Sequence, residues 1–231
     1  MNNKAVVILS GGMDSATLLY WANAPQTRSR PGYPFAYEVS AVSVNYGQRH
    51  SKELDCAKQL CDYLEVQHNV IDLSSLKVLL TGNALTDDMP VPEGHYASPT
   101  MKQTVVPNRN MMLLSVAVAA ACARDAKTVL YGAHCGDHPI YPDCRREFVQ
   151  ALDKAAQLCW HHEIRIEAPF VDKTKTEVAR IGADLGVPFK DTWSCYNGRD
   201  LHCGKCGTCV ERKEAFTDSG VTDPTQYEVS E

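Results

Sequence analysis

Apolar and polar positions along the chain alternate between short apolar runs and longer segments of helical period. Residues 5–9 and 39–44 are apolar runs of strand length, and 70–73 and 128–131 extend the series. The segments after them carry apolar residues at three- and four-residue steps. Between about 48 and 64, Leu54, Ala57, Leu60, Cys61 and Leu64 keep that spacing. Helices are likewise expected over 14–22, 111–123, 144–159 and 175–185, a short one over 74–80, and a last strand over 164–168. Strands alternating with helices in this way predict a doubly wound α/β fold around a mainly parallel sheet.

The pattern fails in two places. Between 81 and 104 it gives way to Pro90, Pro92, Pro99, two glycines and acidic residues, which reads as a surface insertion or a lid. From Trp193 onward cysteine and glycine dominate. The expected division is therefore an α/β domain over 1–190 and a small module over 191–231 that ends in a helix.

Composition narrows the picture. The 231 residues are 44% hydrophobic and 22% charged, ordinary values for a globular chain. A net charge of −5 argues against a nucleic-acid partner, whose phosphates call for a basic surface. No apolar run approaches the roughly 18 residues of a membrane span, and the first run is too short for a signal-peptide core. A cytoplasmic location is expected, which makes the ten cysteines thiols or metal ligands before disulfides.

Two motifs carry chemistry of their own. Ser10-Gly11-Gly12-Met13-Asp14-Ser15 lies where the first strand hands over to the first helix. Glycine lets backbone approach a phosphate, the helix N-terminus offers free N–H groups, and the two serines add hydroxyls. Asp14, anionic beside phosphates, suits a metal ion or the loop itself. The hexapeptide lacks the Lys of a Walker loop and the third glycine of a dinucleotide fold. The second motif is Cys195, Cys203, Cys206 and Cys209, a C-x7-C-x2-C-x2-C array. Four thiolates close a tetrahedral Zn²⁺ shell, so a structural zinc is expected; an iron–sulfur cluster and a sulfur-relay pair are alternatives open to four cysteines.

The loop resembles that of the PP-loop ATP pyrophosphatases, which implies an adenine nucleotide alpha hydrolase-like fold, ATP with Mg²⁺ as cosubstrate, and attack on the α-phosphate. By that resemblance the nucleotide contacts span Leu9, Ser10, Gly11, Gly12, Met13, Asp14, Ser15, Ala16, Thr17, Leu18 and Leu19. Three further motifs, Tyr46-Gly47-Gln48-Arg49-His50, Val106-Pro107-Asn108-Arg109-Asn110 and Tyr141-Pro142-Asp143-Cys144-Arg145, join Ser194-Cys195-Tyr196-Asn197-Gly198 and the closing cysteines in one order. Together they resemble the QueC family of queuosine biosynthesis over most of the chain. The chain departs from that pattern at Asn108, where many members have glycine, at Met13, where glutamine is common, and at His138-Pro139-Ile140.

The resemblance implies a ligase that forms carbon–nitrogen bonds. ATP activates the carboxylate of 7-carboxy-7-deazaguanine, ammonia gives the amide, and further ATP drives dehydration to the nitrile. It also implies a homodimer and free ammonia. Arg109 is expected on phosphate or substrate carboxylate, Asp137 and Asp143 on the guanine-like donors, and Lys173 on the departing pyrophosphate. The alternatives are a relative that activates a protein or another purine, and a zinc-stapled nucleotide-binding module without catalysis.

Overall fold

The computed structural model describes residues 3–24, 37–96 and 98–228. The expected domain ranges also take in 1–2, 25–36, 97 and 229–231, which lie outside the described residues. Five strands, β1 (Lys4–Ile8), β2 (Glu38–Asn45), β3 (Gln67–Asp72), β4 (Thr128–Leu130) and β5 (Arg165–Glu167), form one parallel sheet in the order β3-β2-β1-β4-β5. Chain order runs outward from β1 on one side and restarts at β4 on the other. The crevice at the carboxyl ends of β1 and β4 is thus the switch point where open α/β sheets take ligands.

β1 shows how the sheet is wrapped. Ala5, Val7 and Leu9 join a buried cluster with residues of α1 (Met13–Asn23), α2 (Lys52–Tyr63), α5 (Lys175–Asp184) and α6 (Gly207–Ser219). Val6 and Ile8 point the other way, into a cluster with α3 (Arg109–Arg124) and α4 (Arg146–Ala156). A period of two on a strand buried on both faces is what a doubly wound sheet demands. Helix α5 lies close on α1 because Gly182 has no side chain; a Cβ there would sit 2.6 Å from the Thr17 hydroxyl.

Boundaries differ from the sequence pattern for local reasons. β3 begins at Gln67, earlier than expected, because this edge strand is largely exposed and pairs through its backbone from Ser40↔Gln67 onward, leaving little hydrophobic signature. Helix α2 begins only at Lys52, since the preceding backbone is committed elsewhere: Tyr46 N–H donates to Gln48 Oε1 and Arg49 N–H to Leu85 O. Helix α4 starts at Arg146, after a 3-10 turn over Pro142–Cys144.

The stretch 81–104, expected as a surface insertion or lid, is instead bedded in the molecule. Asn83 bonds Leu80 O, Thr86 Oγ1 and the N–H groups of Leu85 and Thr86. Leu85, Tyr96 and Met101 are buried, and Glu93 bridges to Cys206. A loop that satisfies its own polar groups and inserts apolar side chains has no reason to float.

The C-terminal residues are fastened by Arg212 of α6, which is 1% exposed. Its guanidinium donates to Phe189 O, to the hydroxyls of Thr192 and Ser194, and to Thr225 Oγ1. Ala215 and Phe216 of the same helix share the cluster of α1 and α5. Among the described residues no helix is long and apolar enough to cross a membrane.

Arg212→Ala leaves several buried acceptors without a donor, at about 1–3 kcal/mol each. A loss of at least about 3 kcal/mol is expected, a fall in Tm of about 6–12 °C for a chain of this size. A calorimetric shift under about 2 °C would contradict this role.

Candidate functional site

The loop after β1 is shaped by two contacts of its own. Gly11 has φ +90°, and a Cβ on it would lie 2.0 Å from the carbonyl oxygen of Glu53 in α2. Only glycine meets both conditions, the left-handed backbone and the close approach. Ser15 Oγ then accepts from the N–H groups of Ser10 and Gly11, both at 3.2 Å, and lies 2.9 Å from Ser10 Oγ. The turn is held from inside. The first-turn N–H groups of α1, which have no intrahelical acceptor, open toward the crevice with the helix dipole behind them. A glycine turn feeding a helix N-terminus in this way is the kind of seat where phosphates bind.

Behind the seat lies a cluster of charge from four parts of the chain. Lys175, at the first position of α5, places its Nζ 2.6 Å from Asp14 Oδ2 and 3.3 Å from Glu211 Oε2 of α6. His134, from the loop after β4, lies 3.3 Å from the same Nζ and 3.5 Å from Asp137 Oδ2. Tyr96 O–H donates to Asp137 Oδ1 at 2.8 Å. Burial is the largest influence on Asp14 and opposes its ionisation, but Lys175, by charge and hydrogen bond, together with His134 and Arg212 holds the carboxyl below its usual range. Burial also works against the Lys175 charge, and Asp14 and Glu211 more than restore it. Glu211 is pushed up by burial, with Lys175 opposing. The Oδ1 of Asp14 is buried without a hydrogen-bond partner, a free carboxylate oxygen suited to a hard cation that accompanies phosphates.

Across the cavity stands Arg109, at the start of α3. The helix is entered through Asn108 at φ +63°, a left-handed position where asparagine is tolerated and glycine is easiest. Among the described residues Arg109 has no carboxylate within ion-pair distance. Burial works against its charge, yet the hydroxyls of Tyr46, Tyr196 and Tyr141 hold its pKa above the ordinary value. Tyr141 O–H lies 2.6 Å from Thr104 Oγ1 and 3.3 Å from Tyr196 O–H. Cys144 also lines the cavity, but burial raises its thiol far out of the nucleophilic range, and Tyr131 and Asn110 hold it at 3.4 and 3.5 Å.

The expected residues divide accordingly. Leu9, Ser10, Gly12, Met13, Asp14, Ser15, Arg109 and Asp137 line one cavity. Gly11 supports the turn from below, while Ala16, Thr17, Leu18 and Leu19 are buried in α1 and face the core. Asp143 is not in the cavity wall; its Oδ2 accepts from Asn110 N–H at 3.3 Å and so ties the 3-10 turn to α3. Nor is Lys173, whose carbonyl accepts from Cys135 N–H at 2.9 Å. The lysine in the cavity is Lys175. A signal for it existed: Thr174 and Glu177 form a capping box, which fixes Lys175 at the first helical position. His134, Glu211 and Tyr96 carried no local signal, because distant elements bring them together.

The four cysteines converge as expected. All are buried, their sulfurs lie within 4.8 Å of one another, and Cys203 and Cys209 are 3.9 Å apart. A Zn–S bond of about 2.3 Å gives a tetrahedral edge of about 3.8 Å. Backbone N–H groups of Lys205 and Cys206 donate to Cys203 Sγ, as they do to thiolates that hold a metal. The cluster is a candidate metal centre, and its chain continues into Thr208 and Glu211 at the cavity wall.

Comparison with known proteins agrees with this geometry. Residues 4–220 match the family described as queuosine biosynthesis protein QueC. A 7-cyano-7-deazaguanine synthase from Hahella chejuensis is 51% identical over 98% of this chain and 94% of its own. One from Caldicellulosiruptor bescii is 51% identical over 98% of both, and one from Alteromonas mediterranea 50% identical over 99% of this chain and 100% of its own. Among solved structures, NMN synthetase from Francisella tularensis aligns with a TM-score of 0.50 and 14% identity, covering 99% of this chain and 79% of its own. The U34-tRNA thiolase NcsA from Methanococcus maripaludis, solved with its [4Fe-4S] cluster, aligns with a TM-score of 0.50 and 12% identity, covering 94% and 68%. At such identities these two speak for the PP-loop fold alone.

Gly11→Ala is expected to weaken ATP binding more than tenfold by calorimetric titration, because the loop must move off Glu53. Gly186→Ala, at φ +72° with nothing within 4 Å of a Cβ, supplies the same backbone strain in open space and should leave ATP affinity within about twofold. Equal losses in both would refute the close-approach argument.

Proposed function

The chain belongs to the QueC family of queuosine biosynthesis, and from that premise we propose how this cavity turns a carboxylate into a nitrile. The activity is that of a carbon–nitrogen ligase. 7-Carboxy-7-deazaguanine, ammonia and ATP give 7-cyano-7-deazaguanine through the amide. A carboxylate is a poor electrophile until one oxygen becomes a good leaving group, and the phosphate loop is where that oxygen is exchanged. The substrate oxygen attacks the α-phosphorus, pyrophosphate departs, and the acyl carbon is open to ammonia. A second activation, on the amide oxygen, lets that oxygen leave with AMP and the C≡N bond form.

The observation that carries this reading is Arg109, a cation in the same cavity as the phosphate seat and, among the described residues, without a carboxylate of its own. A guanidinium in such a place takes an anionic ligand in bidentate fashion. The substrate carboxylate fits, held by Arg109 with its oxygen turned to the loop. Lys175, rather than Lys173, takes the pyrophosphate charge as it develops, and Asp137 accepts the donors of the purine-like ring. Asp14, with one free oxygen, and Glu211 would hold Mg²⁺, which offsets phosphate charge when bound. Zinc on Cys195, Cys203, Cys206 and Cys209 would be structural, a closed shell that fixes the segment leading to Tyr196 and Glu211. The narrow sulfur spacing supports one ion over a four-iron cluster, whose cysteines sit on separate irons. Reduced thiols and metal ligation fit a cytoplasmic setting. A homodimer is the assembly expected from the family, and the exposed apolar residues Val78 and Leu79 near the β3 edge offer it surface.

The test is mass spectrometry of a reaction with 7-carboxy-7-deazaguanine, ammonium, Mg²⁺ and ATP. Amide should appear first and nitrile after it, with release of pyrophosphate. Lys175→Ala and Arg109→Ala are each expected to lower kcat/KM by at least about a hundredfold, the scale of a lost charge stabiliser, while Lys173→Ala stays within about threefold. A dead Lys173→Ala and an active Lys175→Ala would reverse the assignment.

A further inference from the structure

The motif Tyr46-Gly47-Gln48-Arg49-His50 has no part in the chemistry described so far, yet it borders the same cavity. With Glu53 it forms a buried polar cluster. Gln48 Nε2 donates to Val44 O and to Glu53 Oε1, both at 3.2 Å, and Gln48 Oε1 accepts from Tyr46 N–H at 2.9 Å. His50 Nε2 lies 3.5 Å from Glu53 Oε2. The Nδ1 of His50 is buried without a hydrogen-bond partner among the described residues. His50 is 4% exposed and Glu53 9%, and both line the cavity. The Glu53 carbonyl is the atom against which Gly11 of the phosphate loop is packed, so this carboxyl is fixed relative to the seat for ATP.

A carboxyl and an imidazole with an unpaired nitrogen, both buried and both lining the cavity, make a site for a small cation, the imidazole as a neutral acceptor and the carboxyl, once ionised, as the negative charge. We propose that Glu53, with His50 beside it, is the ammonium site of this enzyme and the base that frees ammonia for attack. The proposal rests on the synthase reading above and specifies where its nitrogen enters.

The chemistry requires such a group. At neutral pH free ammonia is almost entirely ammonium, which has no lone pair to offer, and water competes for the acyl carbon. Ammonium enters with one N–H on Glu53 Oε2. The imidazole tautomer that carries its proton on Nε2, toward Glu53, leaves Nδ1 to accept a second N–H. Glu53 takes one proton. The nitrogen lone pair forms the C–N bond as the C–O bond to AMP breaks, and the second proton leaves on the phosphate of AMP. Products are the amide, AMP and protonated Glu53, which then returns its proton to solvent.

The surroundings suit both roles. Burial, followed by the charges of Arg109 and Arg49, brings His50 down to about 3, so it stays neutral and does not repel a cation. Burial pushes Glu53 up to about 8, with the Gln48 hydrogen bond and Arg109 opposing. The ionised form, a minority at pH 7 and the majority above about 8, takes a proton from ammonium at small cost. The other groups facing the pair are Tyr46, from the same loop, and Tyr196, whose ring stands 5.5 Å from that of His50. Arg109, His50 and Glu53 line the same cavity, so the proposal places a carboxylate held by Arg109 and a nitrogen held by Glu53 in one enclosure.

Glu53→Gln keeps the size and removes the base. Three rates separate the possibilities: ATP–pyrophosphate exchange dependent on 7-carboxy-7-deazaguanine, amide formation with ammonium, and hydroxamate formation with hydroxylamine. Hydroxylamine is neutral at pH 7 and needs no deprotonation before attack. In Glu53→Gln, exchange should stay within about threefold of the wild type and amide formation should fall at least about a hundredfold. Hydroxamate formation should return to within about fivefold. His50→Gln, the second variant, is expected to raise the KM for ammonium about tenfold with little change in the KM for ATP. Amide formation unaffected in Glu53→Gln, or hydroxylamine as slow as ammonium, would overturn the proposal. So would loss of exchange together with amide formation, since Glu53 would then serve only to support the loop. Absence of carboxylate-dependent exchange in the wild type would instead count against the synthase reading itself.

Discussion

Everything at this site depends on a buried ion cluster that four separate parts of the chain must assemble. Asp14 comes from the first helix, His134 from the loop after β4, Lys175 from the head of α5, and Glu211 from the last helix. Neither the Asp14 nor the Lys175 charge is stable out of water alone. They are tolerated because each meets an opposite partner, and the partners meet only when the sheet, α5 and the cysteine-bearing segment are docked together. The cluster therefore makes formation of this cavity conditional on completion of the fold. It also leaves one Asp14 oxygen without a protein partner, an imbalance that a polyphosphate and its cation would complete.

The rest of the cavity follows a division of charge. The phosphate seat is built from backbone N–H groups and hydroxyls, the far wall from one guanidinium set among tyrosines, and the floor near α2 from a carboxyl and a neutral imidazole. The cavity wall thus offers two places suited to anions and, in the proposed mechanism, a third suited to a cation. A ligase that joins an anionic acid, a polyanionic nucleotide and ammonium needs this arrangement, because each reactant carries a charge that must be neutralised before bonds can change.

What was legible in the sequence was what is local. The loop from Ser10 to Ser15 announces itself because its glycines and hydroxyls act within six residues, and the four cysteines because their spacing brings sulfurs together within one turn-rich segment. The strands of the sheet centre were legible for the same reason: β1 is apolar from Ala5 to Ile8, and β2 carries Val39, Ala41, Val42 and Val44 in one short run. β3 was half missed, since an edge strand held by backbone pairing needs no apolar signature. Lys173 was the lysine that the family resemblance pointed to; the capping box at Thr174 sets Lys175 at the first helical position, where it lines the cavity. Glu211 could not have been found by any local rule. It reaches the cavity only because Arg212, its neighbour, pins α6 against the 189–194 segment. The loop from 81 to 104 looked free for a similar reason: its prolines and glycines are visible in the sequence, while the partners of Leu85, Tyr96 and Met101 are not.

The central claim is that substrate oxygen attacks the α-phosphorus of ATP in the loop after β1, once for the acid and once for the amide. It is tested most directly with substrate carrying ¹⁸O in both carboxylate oxygens, with the label followed by phosphorus NMR and mass spectrometry. The account predicts that each oxygen departs in its own molecule of AMP, with pyrophosphate and orthophosphate unlabelled. Label in orthophosphate would mean attack at the γ-phosphorus and would contradict the role assigned to the loop.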